Sequence, residues 1–174
     1  MEDEAVDGPA AVGVAVVTIS SERSLETDPA GDAIVAAFEA AGHDVVTREL
    51  IGRNYDNVQA NVSRLVDRDD VDIVVTTGGM GVEPRDATLE AVRPLLDKEL
   101  PAFVDMFHGL ACEAIGTHAV CSRALGGVVD EVPVFCLPNS PDATKLASES
   151  IIVPEATRLT ALATGRQTDE EEQS

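Results

Sequence analysis

The sequence is poor in aromatic residues, lysine and cysteine, and it has no long apolar run. Aromatic side chains are 3% of the 174 residues, and tryptophan is absent. No apolar stretch approaches the roughly 18 residues that a membrane-spanning helix needs. Met1-Glu2-Asp3-Glu4 has the wrong sign for the basic start of a secretory signal. Together these features predict a soluble, cytoplasmic protein without membrane contact. Cys112, Cys121 and Cys136 form no C-x-x-C pair, and an odd count in an intracellular chain is not a disulfide framework. His43, His108 and His118 lie far apart in no zinc-binding spacing, which argues against a structural metal.

Positive charge is also scarce. Thirty-two acidic residues face 12 basic ones, for a net charge of −20. Nucleic acid is excluded as a partner, because binding its backbone takes clustered Lys and Arg. Only Lys98 and Lys145 are lysines; the other ten basic residues are arginines. Acidic excess, Arg over Lys, and bulk supplied by Ala and Val are the pattern of a protein working in high salt. There, screening over about 3 Å removes most of the self-repulsion.

What is present is enough apolar material, 44% of residues, for one sizeable core. Residues 1–11 read as a loose N-terminal arm and 167–174 as a solvated acidic tail. Between them, residues 12–166 form one domain without linker, repeat or low-complexity tract. The Val-rich run 12–19 predicts a strand buried on both faces. Asp28-Pro29 caps and starts a helix that Gly42 closes. A strand over 44–51, an amphipathic helix over about 55–68 and an apolar strand over 71–77 follow. Beyond a Gly-rich loop, a helix is expected over about 89–97. Pro94 and Pro101 are expected to break the chain into short helical pieces up to about 113. Strands over about 118–124 and 132–137 come next, and Ser140-Pro141 opens a last helix bent at Pro154. Such alternation implies an α/β fold, a three-layer sandwich with a mostly parallel sheet and helices on both faces. Ligands then bind beyond the carboxyl ends of the strands, which points to the loops after Ile19, Thr77 and Leu137.

The loop after Thr77, Gly78-Gly79-Met80-Gly81-Val82-Glu83-Pro84-Arg85-Asp86-Ala87-Thr88, leaves a strand and enters a helix. Three glycines in four positions let backbone N–H groups approach an anion, with Thr88 as the expected helix cap. The loop lacks the Lys of a P-loop and the spacing of a dinucleotide fingerprint. Arg85 offers a cation for phosphate and Asp86 a carboxylate for a metal or a proton. The loop after Leu137, Pro138-Asn139-Ser140-Pro141, pairs an Asn that tolerates a left-handed turn with a capping Ser. The loop after Ile19 offers Ser20, Ser21 and Arg23.

The run Thr76-Thr77-Gly78-Gly79-Met80-Gly81, with Arg85-Asp86 and Thr88, resembles the signature of the MoaB/Mog family of molybdenum-cofactor biosynthesis proteins. The likeness continues through Pro94 to Phe103, Glu113 to Gly116, Ser122-Arg123-Ala124-Leu125-Gly126-Gly127 and Val134 to Pro141. It implies a trimer or hexamer that binds molybdopterin and adenylylates it with ATP and Mg²⁺, ahead of a metal-insertion protein. A terminal phosphate oxygen of the pterin would attack the α-phosphorus of ATP. The resemblance implies that Ser20, Ser21, Thr77, Gly78, Gly79, Gly81, Arg85, Ser122, Arg123, Pro138, Asn139 and Ser140 hold the ligands. Asp86 falls on the family's functional Asp, which would hold Mg²⁺ or orient the attacking phosphate.

Three positions depart from the family pattern. Met80 stands where a Thr is common and Asn139 where the family has Gly. Arg53 and Asn54 occupy the places of a short acidic pair, leaving Asp56 as the one carboxylate in the 51–57 stretch and the candidate second catalytic group. The alternatives are a molybdopterin-binding or assembly protein without catalysis, and a nucleotide-acting domain like that of the competence-damage-inducible family.

The charge yields a direct prediction. Thermal unfolding followed from about 0.1 M to about 2 M KCl should show the midpoint rising with salt. A midpoint that is flat or falls would refute the high-salt reading.

Overall fold

The computed structural model of the chain describes residues 11–166. All but the last residue of the expected arm, and the whole tail over 167–174, lie outside the described residues.

The Val-rich run forms strand β1 (Gly13–Ile19), buried at every position. A strand apolar on both faces belongs in the middle of a sheet covered on both sides. β1 pairs in parallel with β2 (Asp44–Ile51) on one edge and with β3 (Ile73–Thr77) on the other. β4 (Lys98–Glu99), β5 (Leu125–Val129) and β6 (Val132–Leu137) complete a six-stranded sheet of order β2-β1-β3-β6-β5-β4. β6 runs parallel to β3; β5 and β4 are antiparallel additions at the far edge.

Strand alternation sorts the core into two layers. Val14, Val16, Ile73, Val75, Phe135 and Leu137 belong to one apolar cluster. It holds residues of α1 (Pro29–Ala40), α4 (Pro101–Ile115), α5 (Pro141–Ala147) and α6 (Val153–Thr164). Ala15, Val17, Ile19, Val74, Val134 and Cys136 belong to the other, with residues of α2 (Tyr55–Val66) and α3 (Thr88–Val92). The fold is the expected three-layer α/β sandwich. Cys136 is a small core residue, and burial pushes its thiol up to about 12. Among the described residues no helix is long and apolar enough to cross a membrane.

The chain leaves β1 through α1 on one face, and then reaches β3 through α2 on the opposite face. β1 and β3 are neighbours whose following segments diverge, so a crevice opens at their carboxyl ends. The start of α1 is fixed by Asp28, whose fully buried carboxylate accepts hydrogen bonds from the Gly31 N–H (3.1 Å), the Thr18 hydroxyl (2.5 Å) and Arg48 (3.2 Å). A side chain at position 31 would overlap that carboxylate.

Four expectations fail between residues 88 and 164. The segment 118–124 is not a strand: Gly116–Cys121 winds as an exposed 3₁₀ helix, with Val120 84% exposed, and the strand begins at Leu125. Gly126 and Gly127 disguise β5 in the sequence. A Cβ at Gly126 would strike the Phe103 ring, and one at Gly127 would meet the Lys98 carbonyl oxygen and the Leu96 side chain. The helix expected over 89–97 ends at Val92, and a 3₁₀ turn at Arg93–Leu95 containing Pro94 leads to the short edge strand β4. Pro101 does not break a helix; it opens the 15-residue α4 at the position where its missing N–H costs nothing. The last helical stretch is interrupted by a π-helical turn, Ser148–Ile152, just before Pro154, rather than simply bent at that proline.

Asp28→Ala removes the α1 cap and strands the buried Thr18 hydroxyl. The unfolding free energy should fall by about 3 kcal/mol in urea titration. A loss below about 1 kcal/mol would show that the cap does not hold α1 in place.

Candidate active site

Four strand ends are tied in two pairs, β3 to β6 and β1 to β2, before the chain turns away. The Gly78 N–H donates to the Leu137 carbonyl (2.9 Å), the Thr77 hydroxyl to the Pro138 carbonyl (3.0 Å), and the Ser20 N–H to the Ile51 carbonyl (2.9 Å). Gly78 takes φ +104° and Gly79 φ +67°, a region that favours glycine, and a Cβ at Gly78 would collide with the Ile19 carbonyl. Thr77 and Gly78 therefore join the loops to one another, and neither lines the cavity described below.

The glycine loop has its carbonyls occupied. Gly78 O accepts from the Thr88 hydroxyl (2.9 Å), Gly79 O from the Thr88 N–H (3.1 Å), Met80 O from the Arg123 N–H (3.1 Å) and Gly81 O from the Arg123 Nε (3.0 Å). Among the described residues, the N–H groups of Gly79, Met80 and Gly81 donate to nothing within the chain. A loop with satisfied carbonyls and open N–H groups suits an anion. Thr88 thus does not cap the helix; Ala87 holds that position, and the threonine hydroxyl turns back into the loop. Met80, 1% exposed, is a core residue, so its side chain takes no part in the cradle.

These loops surround a cavity of about 490 Å³. Ser20, Ser21 and Arg23 line it from the loop after β1, and Arg53 from the loop after β2. Gly79, Gly81, Glu83 and Asp86 come from the loop after β3, Cys121 and Ser122 from the segment before β5, and Pro138 and Asn139 from the loop after β6. A second, shallower cavity of about 500 Å³ adjoins it and shares Gly81, Glu83 and Asp86. Tyr55, Pro84, Glu90 and Arg123 add to its wall.

The side chain of Asp86, 7% exposed, sits at the junction of the two cavities. Its Oδ2 accepts the Glu83 N–H (3.1 Å), and its Oδ1 faces the Arg53 guanidinium at 3.3 Å. Arg53 also reaches Glu83 Oε2 (3.4 Å). A side chain at Gly81 would crowd Asp86 Oδ2.

The remaining expected residues divide by role. Arg123 braces the loop and pairs with Glu90, whose carboxyl it holds below its ordinary value by hydrogen bonding; it borders only the second cavity. Arg85 donates to the Ser21 hydroxyl (3.1 Å) and lines neither cavity. Ser20 Oγ accepts the Glu22 and Arg23 N–H groups, shaping the first loop. Ser140 accepts the Ala143 N–H as the cap of α5 and lies off the cavity wall. Asn139 borders the cavity without using the left-handed conformation it could tolerate; among the described residues, the non-glycine residues with positive φ are Asp130 and Glu131, in the turn between β5 and β6.

Asp56 does not reach the site. It is exposed on the first turn of α2 and lines neither cavity. Asn54 caps that helix through the Asn57 N–H, and Tyr55 takes the position facing the second cavity. The residue that sequence reasoning missed is Arg53. Its only signal was the departure from the acidic pair, which does not reveal that its side chain turns to Asp86.

The donor set also tests for a divalent cation. Among the described residues no three His, Cys, Asp or Glu side chains are grouped to hold a metal. Mg²⁺, however, is commonly bound by one or two carboxylates plus substrate phosphates and water. Asp86 supplies one hard oxygen at the cavity wall, so the site fits a cation that arrives with a polyphosphate and does not fit one held by protein ligands alone.

A family model described as "Probable molybdopterin binding domain" matches residues 15–158. The chain is 39% identical over 153 residues to molybdenum cofactor biosynthesis protein B of Bacillus cereus, covering 87% of this chain and 90% of that protein. The crystal structure of a molybdenum cofactor biosynthesis protein B superimposes with a TM-score of 0.86 at 37% identity, over 90% of this chain and 98% of that one. The tungsten cofactor synthesizing protein MoaB from Pyrococcus furiosus gives 0.78 at 30% identity, over 90% and 99%.

Proposed function

The chain belongs to the MoaB/Mog family of molybdenum-cofactor biosynthesis proteins, and we propose that it binds molybdopterin and adenylylates it with ATP. The observation that carries this reading is the meeting of two cavities at Asp86 and Gly81. Adenylyl transfer needs two anionic reactants side by side at one charged centre, held in line. The terminal phosphate oxygen of the pterin forms a bond to the α-phosphorus of ATP, the bond from that phosphorus to the β-phosphate oxygen breaks, and pyrophosphate leaves.

The chain's own residues fill defined roles in that step. The N–H groups of Gly79, Met80 and Gly81 receive phosphate oxygens without being stripped from internal partners. Ser20, Ser21 and Ser122 offer hydroxyls, and Arg23 a cation, on the cavity wall. Pro138 and Asn139 close the side towards β6. Mg²⁺ bound with the nucleotide would neutralise phosphate charge in the transition state, with Asp86 as the residue that holds it. Asp86 otherwise orients the attacking phosphate.

The same reading has the protein act as a trimer or hexamer and hand its product to a metal-insertion protein. An apolar groove of about 480 Å³ over α4 and the π-helical turn, bordered by Pro101, Met106, Ile151 and Pro154, supports self-association. One observation favours the second reading, a binder without turnover: the guanidinium of Arg53 already pairs with Asp86, where the family pattern has an acidic residue.

The test is incubation with molybdopterin, ATP and MgCl₂, scoring adenylylated pterin. Asp86→Asn should lower turnover at least about tenfold with little change in thermal midpoint, since a loop carboxylate contributes little packing. Asp56→Ala should keep most of the wild-type rate, because its side chain is exposed outside both cavities. An Asp86→Asn enzyme of full activity would remove the proposed role, and a dead Asp56→Ala would relocate the site. Pterin binding without product from the wild type would establish the binder.

A further inference from the structure

Arg53 lies in the loop between β2 and α2, on the wall of the first cavity, the one it shares with Ser20, Ser21 and Asn139. Its guanidinium bridges two carboxylates, Asp86 at 3.3 Å and Glu83 at 3.4 Å, with the Arg53 side chain 21% exposed. Asp86 is the carboxylate best placed for a divalent cation, and its other oxygen is engaged by the Glu83 N–H. A cation bound to Asp86 Oδ1 would lie within a few ångströms of the guanidinium. Two like charges that close, in partly desolvated surroundings, repel strongly enough to exclude one another. The guanidinium is permanently charged and planar, and its fork of donors matches phosphate as well as carboxylate.

We propose that Arg53 is a tethered counter-ion that competes with divalent cations for Asp86 and turns to the phosphates of the ligand when a cation displaces it. The inference rests on the nucleotide reading above for the identity of that ligand. Asp86 is thereby paired in both states. The arginine keeps free metal from occupying the site by itself, and its charge is transferred to the polyphosphate when metal and nucleotide arrive together. A carboxylate at position 53 would do the opposite, adding a metal ligand and repelling the phosphates. The glycine loop, Ser20 and Ser21 stay in place throughout, so the exchange needs only a side-chain rotation.

The test uses Mn²⁺ alone, and ATP in the presence of excess Mn²⁺, as separate probes, each titrated calorimetrically into the full chain. Arg53→Ala should bind Mn²⁺ about tenfold more tightly than wild type, the scale of removing one nearby unit charge. The same variant should bind ATP in excess Mn²⁺ about tenfold more weakly. Arg53→Gln, which keeps the bulk of the side chain, should reproduce both shifts if the alanine variant folds poorly. Arg53→Lys should keep wild-type Mn²⁺ affinity, because the charge remains, while losing part of the affinity for ATP in excess Mn²⁺. Unchanged Mn²⁺ affinity in both neutral variants would overturn the competition, and unchanged ATP affinity would overturn the turn towards phosphate. A wild type that makes adenylylated pterin yet shows neither shift on substitution would leave the proposed function standing and remove Arg53 from it. A wild type that binds no ATP, with or without Mn²⁺, would remove the nucleotide reading and the phosphate half of the proposal with it.

Discussion

Everything at the site depends on the contact between Gly78 and the end of β1. The α-carbon of Gly78 lies against the Ile19 carbonyl so closely that no side chain fits, and its N–H is spent on the Leu137 carbonyl. That contact pins the ends of β1, β3 and β6 to one another at the point where the connections from β1 and β3 diverge to opposite faces. The crevice is thus a consequence of topology, and the glycine decides how tightly its rim closes. With the rim fixed, Thr88 and Arg123 consume the carbonyls of the glycine loop, and its N–H groups remain available. A flexible loop would satisfy its donors internally; this one cannot, because its carbonyls are held from behind.

The second constraint is charge. On the proposed function, a protein with a net charge of −20 receives two polyanions, so its few cations must be placed with care. Most arginines near the site are committed. Arg123 is bound to Glu90 and to loop carbonyls, and Arg85 to Ser21. Neither borders the cavity lined by Ser20, Gly79 and Asn139, which leaves Arg23 and Arg53 as the cations on its wall. Arg53 is paired with Asp86, the carboxylate that the proposed chemistry uses, so on that proposal the state of the pair bears on both the metal and the phosphate. On the proposal above, catalysis and simple binding differ by whether that ion pair can be exchanged.

The first half of the fold was readable because burial and capping agree there. The run 12–19, the Asp28-Pro29 cap and the 58, 62, 65, 66 spacing each point to one structure, and the elements form within a residue or two of those limits. From Arg93 to Leu125 they disagree. Gly126 and Gly127 are poor strand formers, and they are there because Phe103, Leu96 and the Lys98 carbonyl crowd that strand, a tertiary reason invisible in local pattern. His118 to Cys121 look apolar enough for a strand, yet they wind over the surface. The site shows the same division. The three loops were identifiable from the ends of apolar strands, and they do converge. Side-chain direction was not: Thr77, Thr88 and Arg123 face backbone carbonyls, Asp56 faces solvent, and Arg53 faces Asp86. Residue type reveals what a group can bind and says nothing of which partner the fold puts nearest.

The central claim is that two reactants occupy adjoining cavities that meet at Asp86, and a ternary-complex titration tests it most directly. The protein would be saturated with molybdopterin and titrated with the α,β-methylene analogue of ATP in the presence of Mg²⁺, following heat and free pterin together. The account predicts that the analogue binds with the pterin retained, at an affinity within about threefold of that for the pterin-free protein, as expected for neighbouring sites with little coupling. Stoichiometric release of pterin as the analogue binds would mean that both ligands contend for one cavity, and would contradict the account.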